Sequence, residues 1–155
     1  MTRFALYQNE VAAKFTKRLV TAARVVDESA LPKATQELVK IRASQINSCG
    51  MCLDMHTKDA ALAGETPVRL AMVAAWRESS VFTDAERAAL ALTEEGTRLA
   101  DANPGISEDT WAQVRKNYDD DQIGALISLI ATINAWNRLN VIAGMTGGEY
   151  QPGQW

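Results

Sequence analysis

The sequence predicts an all-α protein of about seven helices. Ala, Leu, Glu, Arg and Lys recur along most of the chain, with apolar positions three and four residues apart, which is the period of an amphipathic helix. Alternating runs of β-branched and aromatic residues, which are typical of strands, are not seen. The 155 residues, 47% of them hydrophobic, provide enough apolar material for a packed core without disulfide staples. We therefore expect a single domain over residues 1–155.

Apolar spacing and end signals predict the first three helices. The first covers about residues 8–26, with an apolar stripe at Val11, Phe15, Leu19, Ala22 and Val26. The residue before a proline avoids helical angles, so Leu31-Pro32 separates this helix from a second one over about 33–47. Ser48 is a candidate N-cap for a third helix, which runs to about Ala63.

Capping signals predict the next two helices. Thr66-Pro67 combines a capping side chain with a proline at the first helical position, and it begins a helix that ends near Arg77. Thr83 and Glu86 fit a capping box, in which each side chain accepts the backbone N–H of the other residue. A helix is therefore expected to follow Thr83.

Two more helices and a tail are predicted after residue 100. A turn at Asn103-Pro104-Gly105 is followed by a short helix from Ser107 to about Tyr118. The last helix covers about 121–145 and is apolar around most of its circumference, so we expect it to lie at the centre of the fold or against another subunit. The Gly-rich tail over 146–155 is expected to be loosely ordered.

The charge balance excludes several classes of partner. Lys and Arg number 16 against 19 Asp and Glu, which gives a net charge of −3 and argues against a nucleic-acid-binding protein. No run reaches the roughly 18 uninterrupted apolar residues of a membrane span. Polar residues come too early for the apolar core of a secretion signal. We therefore expect a cytoplasmic protein with no nucleic-acid or membrane partner.

The two cysteines and the histidine of the chain lie close together. Cys49 and Cys52 form a CxxC pair, and His56 follows four residues later. A helix that begins at Ser48 places all three on one face, with both cysteines in its first turn. There, the helix dipole and the free N–H groups favour a thiolate, and the imidazole can take the proton of Cys52. This cluster predicts redox or metal chemistry.

Glu37 is the candidate partner of His56. If the second and third helices form an antiparallel hairpin around Ser48, Glu37 lies eleven residues before the hinge and His56 eight residues after it. The two are then offset by only about 5 Å along the helix axes. A carboxylate beside the imidazole would orient it and increase its basicity, as in a catalytic triad.

Two other interpretations of this cluster stay open on the residues alone. Cys49, Cys52, His56 and Glu37 could act as four zinc ligands, although three ligands within one and a half turns of one helix would give a strained tetrahedral geometry. A thioredoxin-like fold also places CxxC at a helix start, but it requires a βαβ pattern, which the sequence lacks.

The spacing E-x11-C-x2-C-x3-H over residues 37–56 resembles the core motif of the alkylhydroperoxidase AhpD family, which is part of the carboxymuconolactone decarboxylase-like superfamily. The segment from Thr83 to Leu92 also resembles the helix that commonly follows in these proteins. The four motif positions are filled by Glu37, Cys49, Cys52 and His56.

This resemblance implies an all-helical homo-oligomer, a trimer or hexamer, with thiol-dependent peroxidase activity and no metal, flavin or haem cofactor. It implies that Cys52 is the peroxidatic thiol and Cys49 the resolving thiol, and that a disulfide between them forms during turnover. Glu37 and His56 would be the proton relay. The partners would be a hydroperoxide substrate and an external dithiol, a thioredoxin-like protein or a lipoyl group as reductant.

The chain departs from the family pattern at one position, and alternative functions follow from the same residues. Well-known members have a histidine between the cysteines, where this chain has Met51, so a relay identical to theirs is not expected. A redox-responsive dithiol or zinc-binding protein without peroxidase turnover is one alternative. A carboxymuconolactone decarboxylase-type enzyme is another, but that branch generally lacks the CxxC pair. Asn134, Asn137 and Asn140 are expected at a subunit interface or near the active-site pocket.

Overall fold

The computed structural model describes residues 2–101 and 105–154, and within them the chain is all-helical, as predicted. Short 3-10 helices cover Leu6–Gln8 and Val73–Glu78, and no described residue is in a strand. Within residues 2–101 and 105–154 the seven α-helices are α1 (Glu10–Asp27), α2 (Lys33–Ile46), α3 (Gly50–Leu62), α4 (Pro67–Met72), α5 (Asp84–Thr97), α6 (Glu108–Asn117) and α7 (Asp120–Ala143). The predicted turn residues Asn103 and Pro104 lie outside the described residues.

Polar caps determine where the helices of the second half begin. Thr83 and Glu86 form the predicted capping box at the start of α5. Asp119 and Gln122 form a second box at the start of α7. In each case the two side chains accept backbone N–H groups that have no partner within the helix. Gly144 ends α7 in the left-handed conformation, with φ 70°, which a residue without Cβ adopts at little cost.

Helix α2 lies between two clusters of buried side chains and contacts α3, α5 and α7. On one side, Val39 belongs to a cluster with side chains of α5, α6 and α7, among them Leu92, Val114 and Leu126. On the other side, Leu38 and Ile41 pack with Ala60, Trp76 and Leu90. Because α2 is packed on several sides, the polar side chains that it carries are held in fixed positions.

Helix α7 has the central position expected from its apolar sequence. By length and composition it could cross a membrane, but here it packs against α1, α2, α3 and α5. Leu126, Leu129 and Ile133 are at most 3% exposed. One face of α7 is therefore buried in the core, whereas Ile127 and Ile142 are 52% and 73% exposed.

The predicted helix from Thr66 to Arg77 is interrupted. Helix α4 ends at Met72, and the chain continues as a 3-10 helix in which Ala75 leaves the helical region, with φ −126° and ψ 34°. Arg87 on α5 donates hydrogen bonds to three backbone carbonyls of the segment, those of Trp76, Arg77 and Ser79. These tertiary hydrogen bonds replace those of a continuing α-helix.

The apolar stripe predicted on α1 is not buried along its whole length. Val11 is 77% and Phe15 53% exposed, whereas Thr16 and Val26 are buried. Part of α1 also lies beside a cavity that side chains of α7 line from the other side. The positions of α1 that line this cavity include Ala13, Thr16, Val20 and Ala23.

The prediction of a loosely ordered tail is wrong for residues 148–150, which bind to α3. Asp54 accepts the backbone N–H groups of Gly148 at 2.6 Å and of Tyr150 at 3.0 Å. The Tyr150 hydroxyl donates to Asp59 at 2.9 Å, and Lys58 donates to the carbonyl of Tyr150 at 2.8 Å. Three charged side chains of α3 therefore hold the tail. Trp155 lies outside the described residues.

Candidate active site

Helix α3 begins one residue later than predicted, because Ser48 ends α2 instead of capping α3. Ser48 has a left-handed φ of 54° and follows the C-cap Asn47, which is where a left-handed residue commonly ends a helix. Cys49 is extended and is the N-cap, and its sulfur accepts the N–H of Cys52 at 3.3 Å. The sulfur of Cys49 therefore lies at the positive end of the α3 dipole.

Cys49 and Cys52 are joined by a disulfide, with their Cα atoms 5.4 Å apart. Cys49 is 1% and Cys52 4% exposed. Cys52 lines a cavity of about 600 Å³, whereas Cys49 is not among its lining residues. The two sulfurs are thus both buried, but it is Cys52 that faces a space large enough for a ligand.

Helix α7 supplies an amide group to Cys52. Nδ2 of Asn140 donates to Sγ of Cys52 at 3.4 Å, and Oδ1 of the same side chain is buried with no hydrogen-bond partner among the described residues. Asn140 lines the cavity, so it lies near the pocket, one of its two expected places. Asn134 and Asn137 accept hydrogen bonds from Asn47 and tie α7 to the end of α2.

Glu37 and His56 meet between α2 and α3. Oε2 of Glu37 lies 3.0 Å from Nδ1 of His56, at the place where the antiparallel hairpin brings them side by side. Lys40 donates to the other oxygen of Glu37 at 2.9 Å and lies 3.5 Å from Asp27 of α1. The site therefore contains a chain of polar contacts, from Asp27 through Lys40 and Glu37 to His56, that links α1, α2 and α3.

The environment keeps Glu37 ionised. Burial alone would raise the pKa of Glu37, but the hydrogen bond with His56 and the charges of His56 and Lys40 outweigh it, and the pKa falls to about 2. A carboxylate only accepts hydrogen bonds, so the Nδ1 of His56 carries a hydrogen and donates it to Glu37. This leaves Nε2 of His56 available for chemistry, and His56 lines the same cavity as Cys52.

Lys40 and Asp27 are site residues that the sequence alone does not predict. Lys40 had a signal, since it follows Glu37 by three residues and so shares its helix face. Asp27 had no comparable signal, because its position depends on how α1 packs against the α2–α3 hairpin.

The cavity beside Cys52 is lined mainly by apolar side chains of α1, α3 and α7. Met51, which lies between the two cysteines in the chain, is one of them, so it contributes apolar surface where the family pattern has a histidine. The apolar lining includes Val20, Val26, Met51, Met55, Leu129, Ile133 and Trp136.

The residues proposed as alternative zinc ligands do not form a metal-binding group in this structure. Within residues 2–101 and 105–154, no three His, Cys, Asp or Glu side chains are arranged to hold a metal ion. Both sulfurs are engaged in the disulfide, and Nδ1 of His56 is engaged by Glu37.

Sequence comparison gives a family match and a relative of similar length. Residues 10–95 match the family described as the Carboxymuconolactone decarboxylase family. YdfG of Bacillus subtilis, an uncharacterized protein, is 36% identical over 135 residues, which are 87% of this chain and 90% of YdfG.

Solved structures share the helical fold. ATU0492 of Agrobacterium tumefaciens is a protein of unknown function with a proposed role as the antioxidant defence protein AhpD. It superposes with a TM-score of 0.89 and 29% identity, covering 97% of this chain and 100% of ATU0492. The debrominase Bmp8 superposes with a TM-score of 0.75 and 16% identity, covering 85% of this chain and 70% of Bmp8. At that identity, the likeness to Bmp8 concerns the fold alone. The AhpD-like fold expected from the core motif is thereby confirmed.

Proposed function

The chain belongs to the carboxymuconolactone decarboxylase family, and we propose that it is a thiol-dependent hydroperoxide reductase. The observation that supports this proposal is a cysteine pair of which one member, Cys52, lines a ligand-sized cavity beside His56, whose ring is oriented by an ionised Glu37. The catalytic unit is a single domain over residues 1–155, and it uses no metal or organic cofactor.

In the first step, the thiolate of Cys52 attacks the terminal oxygen of a hydroperoxide. Nε2 of His56 takes the thiol proton, the O–O bond breaks, and the imidazolium returns the proton to the departing alkoxide. The peroxide gains two electrons and leaves as an alcohol, while Cys52 becomes a sulfenic acid. The amide of Asn140 donates to the thiolate, and Glu37 stabilises the imidazolium.

In the second step, the thiol of Cys49 condenses with the sulfenic acid of Cys52. The S–S bond forms, and the hydroxyl group leaves as water. An external dithiol then reduces the disulfide by thiol exchange and is itself oxidised to a disulfide. The sum is one hydroperoxide and one dithiol converted into one alcohol, one water and one disulfide. The disulfide form of the pair is the state that the structure describes.

The position of each sulfur supports this division of roles. Cys52 faces the cavity and has both a hydrogen-bond donor, Asn140, and a base, His56, at the same surface. Cys49 is 1% exposed and outside the cavity lining, so a substrate in the cavity meets Cys52 first. The same apolar, thiol-lined surface is the reason to favour peroxide reduction over the lactone decarboxylation after which the family is named.

The surface of the chain supports assembly into a homo-oligomer. Val11, Val25, Leu62 and Ile142 are large apolar residues that are each at least 70% exposed, and we expect the subunit contacts of the oligomer to bury some of them. A cytoplasmic location fits a pair of cysteines that must return to thiols after each turnover.

Thiol titration tests the proposal. The reduced protein is mixed with one equivalent of cumene hydroperoxide, and we expect the titre to fall from two thiols per chain to none while cumyl alcohol appears in equal amount. With excess dithiothreitol, the reaction should then run for many turnovers. A C49S/C52S variant provides the blank. Intact thiols beside unconsumed peroxide would refute the proposal. Single oxidation without turnover in the presence of the dithiol would instead identify a redox-responsive protein.

A further inference from the structure

We infer that the peroxide substrate combines an apolar body with a carboxylate, and that Lys17 and Arg24 of α1 bind that carboxylate. The inference rests on the proposed function, because it names the substrate class for the cavity of Cys52. It concerns the part of the cavity that the chemistry at Cys52, His56 and Glu37 does not use.

The cavity beside Cys52 is much larger than hydrogen peroxide. Its volume of about 600 Å³ lies within the range of pockets that bind drug-sized ligands, roughly 300–1,000 Å³. A water molecule occupies about 30 Å³ of liquid volume, and hydrogen peroxide is of similar scale. Hydrogen peroxide would therefore leave most of the cavity unfilled, whereas a large organic hydroperoxide would fill it.

The part of the cavity next to Cys52 is lined mainly by apolar side chains. Val20, Met51, Met55, Ile133 and Trp136 are among the side chains that surround the space next to Cys52. Each methylene group that a ligand buries against such a surface increases affinity by roughly fourfold. The two methionines are unbranched and adapt to chains of different shape. The body of the substrate is thus expected to be hydrocarbon.

Two cationic side chains of α1 lie at the outer part of the cavity. Lys17 and Arg24 both line the cavity, and seven residues along α1 separate them by about 10 Å on one face. Both are exposed, whereas Cys52 is buried, so the cavity extends from cationic groups at the surface to the sulfur inside. Among the described residues, neither cation forms an ion pair.

The other charged groups of the cavity indicate what kind of anion fits. Lys40 is already engaged by Glu37 and Asp27. Asp27 also lines the cavity, and its negative charge disfavours a doubly charged phosphate more than a singly charged carboxylate. The planar guanidinium of Arg24 matches the two oxygens of a carboxylate. A long-chain acid that carries the hydroperoxide on its hydrocarbon part satisfies each of these features.

Binding in this orientation places the carboxylate at the surface and the peroxide near Cys52. The reaction is the one described above, with two electrons passing from sulfur to the O–O bond. The product is the corresponding hydroxy acid, which keeps its carboxylate and is released with it towards solvent.

A matched pair of substrates tests the inference. Linoleic acid hydroperoxide and its methyl ester differ in the charge of the head group, and both are supplied below their aggregation concentration with excess dithiothreitol. We expect kcat/KM to be roughly fivefold higher for the acid, the size expected for exposed ion pairs, with the preference falling as salt is added. The double variant K17Q/R24Q should reduce the ratio of acid to ester to about one.

The variant K14Q/R18Q is the matched control, because it removes two positive charges from the same helix at positions outside the cavity lining. It should keep the preference for the acid. An equal kcat/KM for acid and ester, with cumene hydroperoxide still reduced, would overturn the inference and leave the proposed function intact.

A binding experiment on the disulfide form tests the carboxylate site independently of peroxidase activity. Linoleic acid, which has no peroxide, should bind more tightly than its methyl ester to the wild-type protein and to K14Q/R18Q, but not to K17Q/R24Q. If the protein shows this preference but reduces none of the hydroperoxides, the result would support the carboxylate site and refute the peroxidase activity. Equal binding of acid and ester would overturn the inference.

Discussion

Nδ2 of Asn140 lies 3.4 Å from Sγ of Cys52, so that a side-chain amide of α7 contacts the cysteine pair at the start of α3. In the disulfide form this nitrogen donates to a weak acceptor. In the reduced form the same nitrogen would donate to a thiolate, and a hydrogen bond to a charged acceptor is about twice as strong as one to a neutral acceptor. The contact is therefore expected to stabilise the reduced, reactive form of the site.

Replacing Asn140 with Leu should slow the reaction of Cys52. The change removes the donor at similar side-chain volume, and a hydrogen bond to a charged group is worth about 1.5–3 kcal/mol. In a C49S background, which leaves Cys52 as the remaining thiol, alkylation by iodoacetamide near neutral pH should fall by roughly tenfold. N134L is the control, because Asn134 is on the same helix and bonds Asn47 and Thr97 instead. An unchanged alkylation rate for N140L would show that the amide has no such role.

The two cysteines should differ when each is replaced by serine. C52S should consume no peroxide, because the sulfur that lines the cavity is lost. C49S should consume one equivalent and keep a sulfenic acid on Cys52, which a dimedone adduct located by mass spectrometry would identify. Continued turnover by C49S with a dithiol present would mean that Cys49 does not resolve the intermediate, and peroxide consumption by C52S would mean that the roles are reversed.

His56→Gln should shift the pH dependence of Cys52 alkylation to higher pH. Glutamine can still donate to Glu37, but it cannot hold the proton that Cys52 releases. The rate of alkylation in a C49S background, measured between about pH 5 and 10, gives the midpoint of the curve. M55L, a change of another cavity-lining side chain, should leave the midpoint in place. Superimposable curves for H56Q and the parent protein would remove His56 from the relay.

The lowered pKa of Glu37 predicts a loss of stability in acid. The pKa is about 2 in the folded protein against an ordinary 4.5, so the folded state holds the ionised carboxylate more strongly than the unfolded state does. The stabilisation is therefore present above about pH 4.5 and is lost as the pH falls towards about 2, and it is on the order of 3 kcal/mol.

Urea unfolding at several pH values measures this effect. The free energy of unfolding of the wild type should exceed that of E37Q at about pH 5, and the difference should shrink as the pH is lowered towards 2. E28Q is a control for the loss of one negative charge at an exposed position. A difference between wild type and E37Q that is constant over this pH range would contradict the assignment of the ionised Glu37.

Gly147→Ala should detach the tail from α3. A Cβ atom at this position would overlap the backbone carbonyl of Gly50 and touch Cβ of Asp54, and backbone atoms cannot move aside as a flexible side chain does. We expect a loss of about 1–3 kcal/mol, as for other overpacked positions, and faster reduction of the disulfide by dithiothreitol. T146A, at an exposed neighbouring position, is the control. Equal melting temperatures and reduction rates for G147A and wild type would show that the contact of Gly147 with Gly50 affects neither the stability of the fold nor access to the disulfide.

The part of the site on α2 and α3 could be predicted from the sequence, because it depends on local geometry. The rise of an α-helix and a hairpin near Ser48 are enough to place Glu37 beside His56. The N-cap of α3 lies one residue later than the sequence predicts, since serine is a common N-cap and the sequence does not reveal that Ser48 adopts a left-handed φ. Cys49 took the capping position as a result.

The rest of the site depends on packing between distant segments. The regular spacing of Asn134, Asn137 and Asn140 indicated polar contacts along α7, but their partners are determined by how α7 rotates against α2 and α3. Asp54 and Asp59 have the sequence features of solvated acids on a helix surface, and the tail residues that bind them lie 94 and 91 residues later in the chain. Hydrophobic periodicity predicts which face of a helix is buried, and it does not predict such pairings.

Residues 148–150 attach to α3, and α7 contacts Cys52, so the surroundings of the Cys49–Cys52 pair are completed only after the last part of the chain has been translated. Helix α3 emerges from the ribosome well before α7 and the tail, so the newly made cysteines are at first without the amide of Asn140 that later contacts Cys52. During that interval, they are open to any oxidant or thiol in the cell. A transcript truncated before α7 would therefore release a polypeptide with two unshielded sulfhydryl groups and no means of choosing what reacts with them.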